Sequence, residues 1–221
     1  MKVLVVGANG KVARHFADIV KEDAELEEIA MIRDPGQAEF FEELGIETVL
    51  LDLVKDSIED LAEAMKQVDA VIFSAGAGGK GLDKTVMIDL DGAIKIMTAA
   101  EQAGVKRFVM VSTFRTGREE MSKDNSLRTY TIAKNYADEW LKHRTNLDWT
   151  IVHPGILVDT PGTGKIKVGM GHDINEIPRQ DVARTLAVVL NNDDTIKKEF
   201  EILAGDKFVE DAVDGLSLTF V

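Results

Sequence analysis

Val3-Leu-Val-Val-Gly7-Ala-Asn9-Gly10-Lys11-Val12-Ala13 runs an apolar strand straight into a glycine turn and the turn straight into a helix. Gly7 permits a sharp turn where a Cβ would clash, and Gly10 lets the backbone approach a bulky anion. The helix that follows aims free N–H groups and its positive dipole end at that anion. Ala13 is small enough for helix and strand to pack closely. The spacing is G-x-x-G-x-x-A, one residue off the commoner dinucleotide fingerprint G-x-G-x-x-G. Asn9-Gly10 alone also suits a hairpin turn; the strand–turn–helix order favours a phosphate site. Gly7, Asn9, Gly10, Lys11 and Val12 are the residues expected around the phosphates.

The same alternation continues along the chain. Short apolar strands are expected at 3–6, 28–32, 47–51, 69–74, 107–112, 149–153 and 199–203. Amphipathic helices are expected at 11–22, 36–44, 57–67, 83–103, 128–145 and 179–191. In 83–103, Val86, Leu90, Ala93, Ile94 and Met97 recur near a 3.6-residue period, and Gly104 is the stop signal. Strands separated by helices imply an α/β fold: a Rossmann-like, doubly wound parallel sheet with helices on both faces. Its ligand site lies at the carboxyl ends of the strands. Segments 75–82, 114–127 and 155–178 read as irregular. The last two are expected to shape the substrate side of a single domain spanning 1–221.

Composition narrows the function. The chain has 221 residues, 45% apolar, and a net charge of −13. That charge disfavours nucleic acid and anionic membrane as partners and leaves a small-molecule substrate. Cysteine is absent, which excludes disulfides, thiol catalysis and thiolate metal sites. The four histidines, at 15, 143, 153 and 172, show no ligand spacing, so no metal is expected. With no signal segment and no long apolar run, a cytoplasmic location is expected. The chain reads as a monomer or a homodimer, the latter through the helices at 83–103 and 128–145.

Chemistry-bearing residues fall at the strand ends. Arg33 ends the second strand, where an arginine suits a ribose 2′-phosphate and an acid would suit the 2′-hydroxyl. It argues for NADP over NAD, although Asp34 beside it keeps NAD possible. Asp52-Leu53 after the third strand suits an adenine amino group and ring face; the alternative is a turn-forming Asp. Ala75, Gly76 and Ala77 after the fourth strand leave the backbone open to ribose or pyrophosphate. Tyr130 and Lys134, four apart on a helix, share a face. A nearby ammonium favours the phenolate, which suits Tyr130 to acid–base work. Ser112 and Thr113 end the fifth strand, where a hydroxyl can hold a carbonyl oxygen. Pro154, Gly155 and Ile156 turn the chain at the nicotinamide end. His153 beside them reads as structural more readily than catalytic.

Taken together these positions resemble the short-chain dehydrogenase/reductase superfamily, in its atypical NAD(P)-binding, NmrA-like branch. The resemblance rests on Gly7-x-x-Gly10-x-x-Ala13, on Val105-Lys-Arg-Phe-Val109 leading to Ser112, on Tyr130-x-x-Ala133-Lys134, on Thr150-Ile-Val-His-Pro-Gly155, and on Arg179-Gln-Asp-Val-Ala183. It covers nearly the whole chain. It implies that Tyr130 is the acid/base, that Lys134 binds the nicotinamide ribose and tunes Tyr130, and that Ser112 or Thr113 orients a carbonyl. Asp89 stands where extended relatives often carry asparagine, and His153 where close relatives usually have arginine. The Ser112-to-Tyr130 interval is long, and the C-terminal substrate portion is small. The expected function is an NADP-dependent oxidoreductase of a small carbonyl or alcohol. The alternatives are a non-catalytic NAD(P)-sensing regulator and a sugar-nucleotide epimerase or dehydratase.

Overall fold

A computed structural model describes residues 1–123 and 125–218; Asp124, inside the expected loop 114–127, lies outside the described residues. The strands are β1 (Lys2–Val6), β2 (Glu27–Ile32), β3 (Glu47–Leu50), β4 (Ala70–Phe73), β5 (Arg107–Val111), β6 (Asp148–Pro154), β7 (Ile156–Val158), β8 (Lys165–Gly169), β9 (Glu176–Pro178), β10 (Lys198–Ala204) and β11 (Lys207–Phe208). The helices are α1 (Lys11–Glu22), α2 (Ala38–Leu44), α3 (Ile58–Glu63), α4 (Leu82–Lys84), α5 (Ala93–Ala103), α6 (Arg118–Ser122), α7 (Arg128–Arg144), α8 (Arg179–Leu190) and α9 (Val209–Asp214).

The main sheet runs β11-β8-β10-β6-β5-β4-β1-β2-β3. From β3 to β10 every pairing is parallel, as the alternating sequence implied. Strand order reverses beside β1, which neighbours both β2 and β4; a doubly wound sheet opens its crevice at such a point. The expectation of a purely parallel sheet is corrected at one edge, where β8 and β11 join antiparallel. The reason is the connection: residues 155–164 between β6 and β8 hold no helix to carry the chain back across the sheet, so β8 returns in the opposite direction and lies antiparallel to both of its neighbours. Nor are 114–127 and 155–178 simply irregular. The first holds α6, and the second holds β8 and the separate parallel pair β7–β9.

Both faces are covered, so the pleat divides the core in two. Val3, Val5, Ala30 and Ile32 pack with Phe16 of α1 and Leu186 of α8. Leu4, Val6, Met31 and Phe73 pack with Leu61 of α3, Ile96 of α5 and Leu141 of α7. Each such fully buried large side chain contributes roughly 1.5–3 kcal/mol. Arg107 staples the layers: its buried guanidinium donates to the carbonyls of Asp148 and Val189 and to the hydroxyls of Thr150 and Thr195. Burial lowers its pKa to about 10, still far above neutrality. Glu28 of β2 is one exception to a matched interior. It is 2% exposed, neither carboxyl oxygen has a hydrogen-bond partner among the described residues, and burial pushes its pKa up to about 8.

The expected helix 83–103 is interrupted. Between α4 and α5, Thr85–Gly92 winds as a π-helix. Wide turns of this kind are frequent at functional sites, where they re-aim side chains that an α-helix would place elsewhere. Here the segment delivers Asp89 to full burial against the glycine-rich loop after β4. The expected helix 57–67 is shorter than its pattern, with a reciprocal Ser57–Asp60 capping box starting α3.

Candidate functional site

One cleft crosses the carboxyl edge of the sheet in two lobes, both bordered by Gly10, Ser74, Ala75 and Gly76. Its centre is the opening glycine turn. Gly7 has φ +82°, and a Cβ there would stand 2.7 Å from the Ala75 Cα, so β1 and β4 can approach only with glycine at this position. No side chain caps α1, and no acid lies in its first turn. Its first N–H groups are therefore left for an outside acceptor, which is what a phosphate requires. The turn is a cradle that a side chain would fill, and it fits a dinucleotide.

The first lobe holds Asn9, Arg33, Asp52 and Leu53 from the expected set, with Met31 and Gln37 beside them. Arg33 is exposed, and among the described residues no carboxylate pairs with it. Asp34, the reason for keeping NAD in view, turns its carboxylate onto the Gly36 N–H at 2.9 Å and caps the turn Pro35–Gln37. Asp52 accepts from Val54 N–H through one oxygen. Asn9 holds Arg14, whose guanidinium lies 4.3 Å from the centre of the Phe40 ring.

The second lobe holds Lys11, Val12, Ala77, Ser112, Tyr130, Lys134 and Pro154. Lys134 is 3% exposed and sits beneath the lobe. Its ammonium lies 3.3 Å from Asp89 Oδ1 and within 3.4 Å of the carbonyls of Ala75 and Val111. It also lies 5.9 Å from the centre of the Tyr130 ring. Asp89 uses its other oxygen to accept from the Ala77 N–H at 2.9 Å, which pins the glycine-rich loop. Lys11 and Arg179 both grip Asp159, each at 2.6 Å, at the lobe's mouth.

Three expected residues do otherwise than the sequence suggested. Ile156 is exposed on β7, and Leu157 lines the lobe in its place, because the pleat alternates the two. Gly155 does not line the lobe. It is a packing glycine whose Cβ would lie 2.2 Å from the Asn175 carbonyl oxygen. Thr113 offers its backbone carbonyl to the His153 Nδ1–H at 2.8 Å and does not line the lobe. Ser112 does line it, yet its hydroxyl is 2.6 Å from the buried Asp138 carboxyl.

The two polar segments border a different space. Ser126, Leu127 and Leu157 line the lobe, whereas Arg115, Lys123 and other residues of 114–127, with Met170 and Gly171 of 155–178, line a second cavity that also holds His153 and Glu199. Burial pushes the His153 pKa down, but its hydrogen bonds to Glu199 and to the Thr113 carbonyl are among the interactions that outweigh burial and raise it. The hydrogen bond from His153 and the charge of Lys142 hold Glu199 at about 2. His153 is thus tied into a charged network, in line with a structural reading.

Fold and cleft define a Rossmann-type protein built to hold a nicotinamide dinucleotide. Residues 7–193 match the NAD(P)H-binding family, and the chain belongs to it. It is 38% identical over 217 residues to the "Uncharacterized sugar epimerase YhfK" of Bacillus subtilis, covering 98% of this chain and all of that one. Among solved structures it resembles a "Putative NAD-dependent epimerase/dehydratase" from Bacillus halodurans, with 41% identity, TM-score 0.89, and 97% and 99% of the two chains covered. It also resembles "the oxidoreductase ylbE" from Lactococcus lactis, with 31% identity, TM-score 0.89, and 98% and 96% covered. The chain therefore sits among oxidoreductase- and epimerase-like NAD(P)-binding proteins. Among the described residues no helix is long and apolar enough to cross a membrane, and no group of three or more His, Cys, Asp or Glu side chains is placed to hold a metal ion.

Proposed function

We propose that the protein is an NADP-dependent oxidoreductase acting on a small carbonyl or alcohol. The observation that carries this reading is the continuous cleft with Arg33, free of any carboxylate partner among the described residues, at one end and Tyr130 over Lys134 at the other. Bound NADP supplies or accepts the hydride. Arg33 holds the 2′-phosphate, Gly7, Gly10 and the first turn of α1 hold the pyrophosphate, and Asp52 and Leu53 border the adenine. Tyr130 delivers a proton to the carbonyl oxygen as hydride reaches the carbon, and takes it back in the reverse direction. The buried Lys134 ammonium, fixed by Asp89, stabilises negative charge on the tyrosine oxygen.

Two measurements test this. Arg33→Ala should weaken NADPH binding about 10–100-fold, the loss of a charged hydrogen-bonded pair, with NADH nearly unaffected; an equal effect on both cofactors removes the phosphate role. Tyr130→Phe should cut NADPH oxidation at least about 100-fold over a panel of aldehydes and ketones while leaving NADPH affinity intact. Tight NADPH binding without turnover in the wild type would instead favour a cofactor sensor. The names of the relatives support a second reading, an epimerase. It predicts inversion of a sugar-nucleotide stereocentre with no net NADPH consumption.

A further inference from the structure

Ser112 raises a problem that Asp138 solves. To hold a carbonyl oxygen, the hydroxyl must donate its single proton into the cleft. Its oxygen instead lies 2.6 Å from Asp138 Oδ2. Were Asp138 ionised, it could only accept, and Ser112 would be left with lone pairs facing the cleft.

The surroundings of Asp138 are those of a neutral acid. The residue is 1% exposed, and Oδ1 has no hydrogen-bond partner among the described residues. Ser112 is the only hydrogen-bond partner of the carboxyl among the described residues, and no cation lies within 4 Å of it. Burying a carboxylate so sparsely bonded is costly. The contrast with Asp181 on α8 is direct. Equally buried, Asp181 accepts from the N–H groups of Thr163 and Gly164 and from Arg184, a full complement for an ionised group. Asp89 likewise has Lys134 and the Ala77 N–H.

We infer that Asp138 is a positioning residue: its carboxyl proton is donated to Ser112 Oγ, which turns the Ser112 hydroxyl proton toward the cleft as a donor for a carbonyl oxygen. The second half rests on the oxidoreductase reading above; the first half does not. The titratable groups facing Asp138 are His153 from β6, Lys134 from its own helix and Glu199 from β10, with Ser112 from the end of β5. Burial, supported by Glu199, outweighs the opposing pull of His153, Ser112 and Lys134, and the carboxyl's pKa is raised.

Infrared difference spectroscopy decides the first half without cofactor or substrate. Wild type minus Asp138→Asn at neutral pH should show a protonated-carboxyl C=O band, and Ser112→Ala should shift that band by removing its acceptor. A difference containing only carboxylate bands, or a band that Ser112→Ala leaves in place, overturns the proposal. The second half is read with NADPH and whichever panel carbonyl the wild type reduces. Asp138→Asn, whose amide N–H also donates to Ser112, should keep kcat/KM within a few fold. Asp138→Leu should lose at least tenfold, and no more when combined with Ser112→Ala. Additive losses overturn the positioning role. A panel without turnover would count against the redox reading, while the infrared result still decides where the proton lies.

Discussion

Replacing Lys134 with methionine is expected to lower the free energy of unfolding by about 3–5 kcal/mol in the absence of any ligand. The ammonium and its partner Asp89 are 3% and 0% exposed, so water cannot replace either when the other is removed. Lys134→Met leaves the Asp89 carboxylate buried with the Ala77 N–H as its remaining partner, and strips the Ala75 and Val111 carbonyls of a donor. The double variant Lys134→Met with Asp89→Asn should recover most of the loss. It withdraws both charges together, and the asparagine oxygen still accepts from Ala77. Urea unfolding followed by circular dichroism measures both. A single-variant cost below about 1 kcal/mol would show that the pair is not held as described. The same pair supports the proposed chemistry, because it fixes the ammonium under the Tyr130 ring.

The second large effect is a pH dependence set by Glu28. Its carboxyl has an ordinary value of 4.5 and is pushed up to about 8 by burial in the folded chain. The folded state therefore binds the proton more tightly than the unfolded state. Its contribution to stability is complete below about pH 4.5 and is lost progressively as pH rises to about 8. At 1.36 kcal/mol per pH unit that loss is about 4–5 kcal/mol. Glu28→Gln removes the titration. The variant should lie within about 1 kcal/mol of wild type at pH 4.5, where both side chains are neutral, and be several kcal/mol more stable at pH 9. Taking the difference between the two proteins cancels the opposite trend of Glu199. That group's low value gives stability present above pH 4.5 and lost as pH falls through about 2. Parallel stability curves for wild type and Glu28→Gln would refute the assignment.

The central strands were legible because each is buried on both faces, so Val3–Val6, Ala70–Phe73 and Arg107–Val111 stand out as short, strongly apolar runs. Elements that bury little left little pattern. The pair β7–β9 has three residues per strand, and α6 buries Met121 alone. The π-helical turn was hidden because the expected period ran through Val86 and Leu90, whereas the wide turn leaves Val86 exposed and buries Ile88 and Asp89 instead. Within the cleft, Gly7, Arg33, Tyr130 and Lys134 were readable from spacing and strand-end position. Asp138 left one overlooked signal: an acid four residues after Lys134, on the helix face that also carries Ala133, Ala137 and Leu141.

By itself the sequence determined the doubly wound sheet, the glycine turn between β1 and α1, and which residue types stand at the strand ends that border the cleft. These are local properties: hydrophobic period, glycine spacing, and an acid or base at a strand end. Only the tertiary structure decided the state of those groups. Asp89 reaches Lys134 across 45 residues, Asp138 reaches Ser112 across 26, and Asp34 is diverted to a turn, leaving Arg33 with no carboxylate partner among the described residues. Charge and hydrogen-bond direction depend on which groups meet in the absence of water, and that is settled by packing between distant segments rather than by neighbours in the chain.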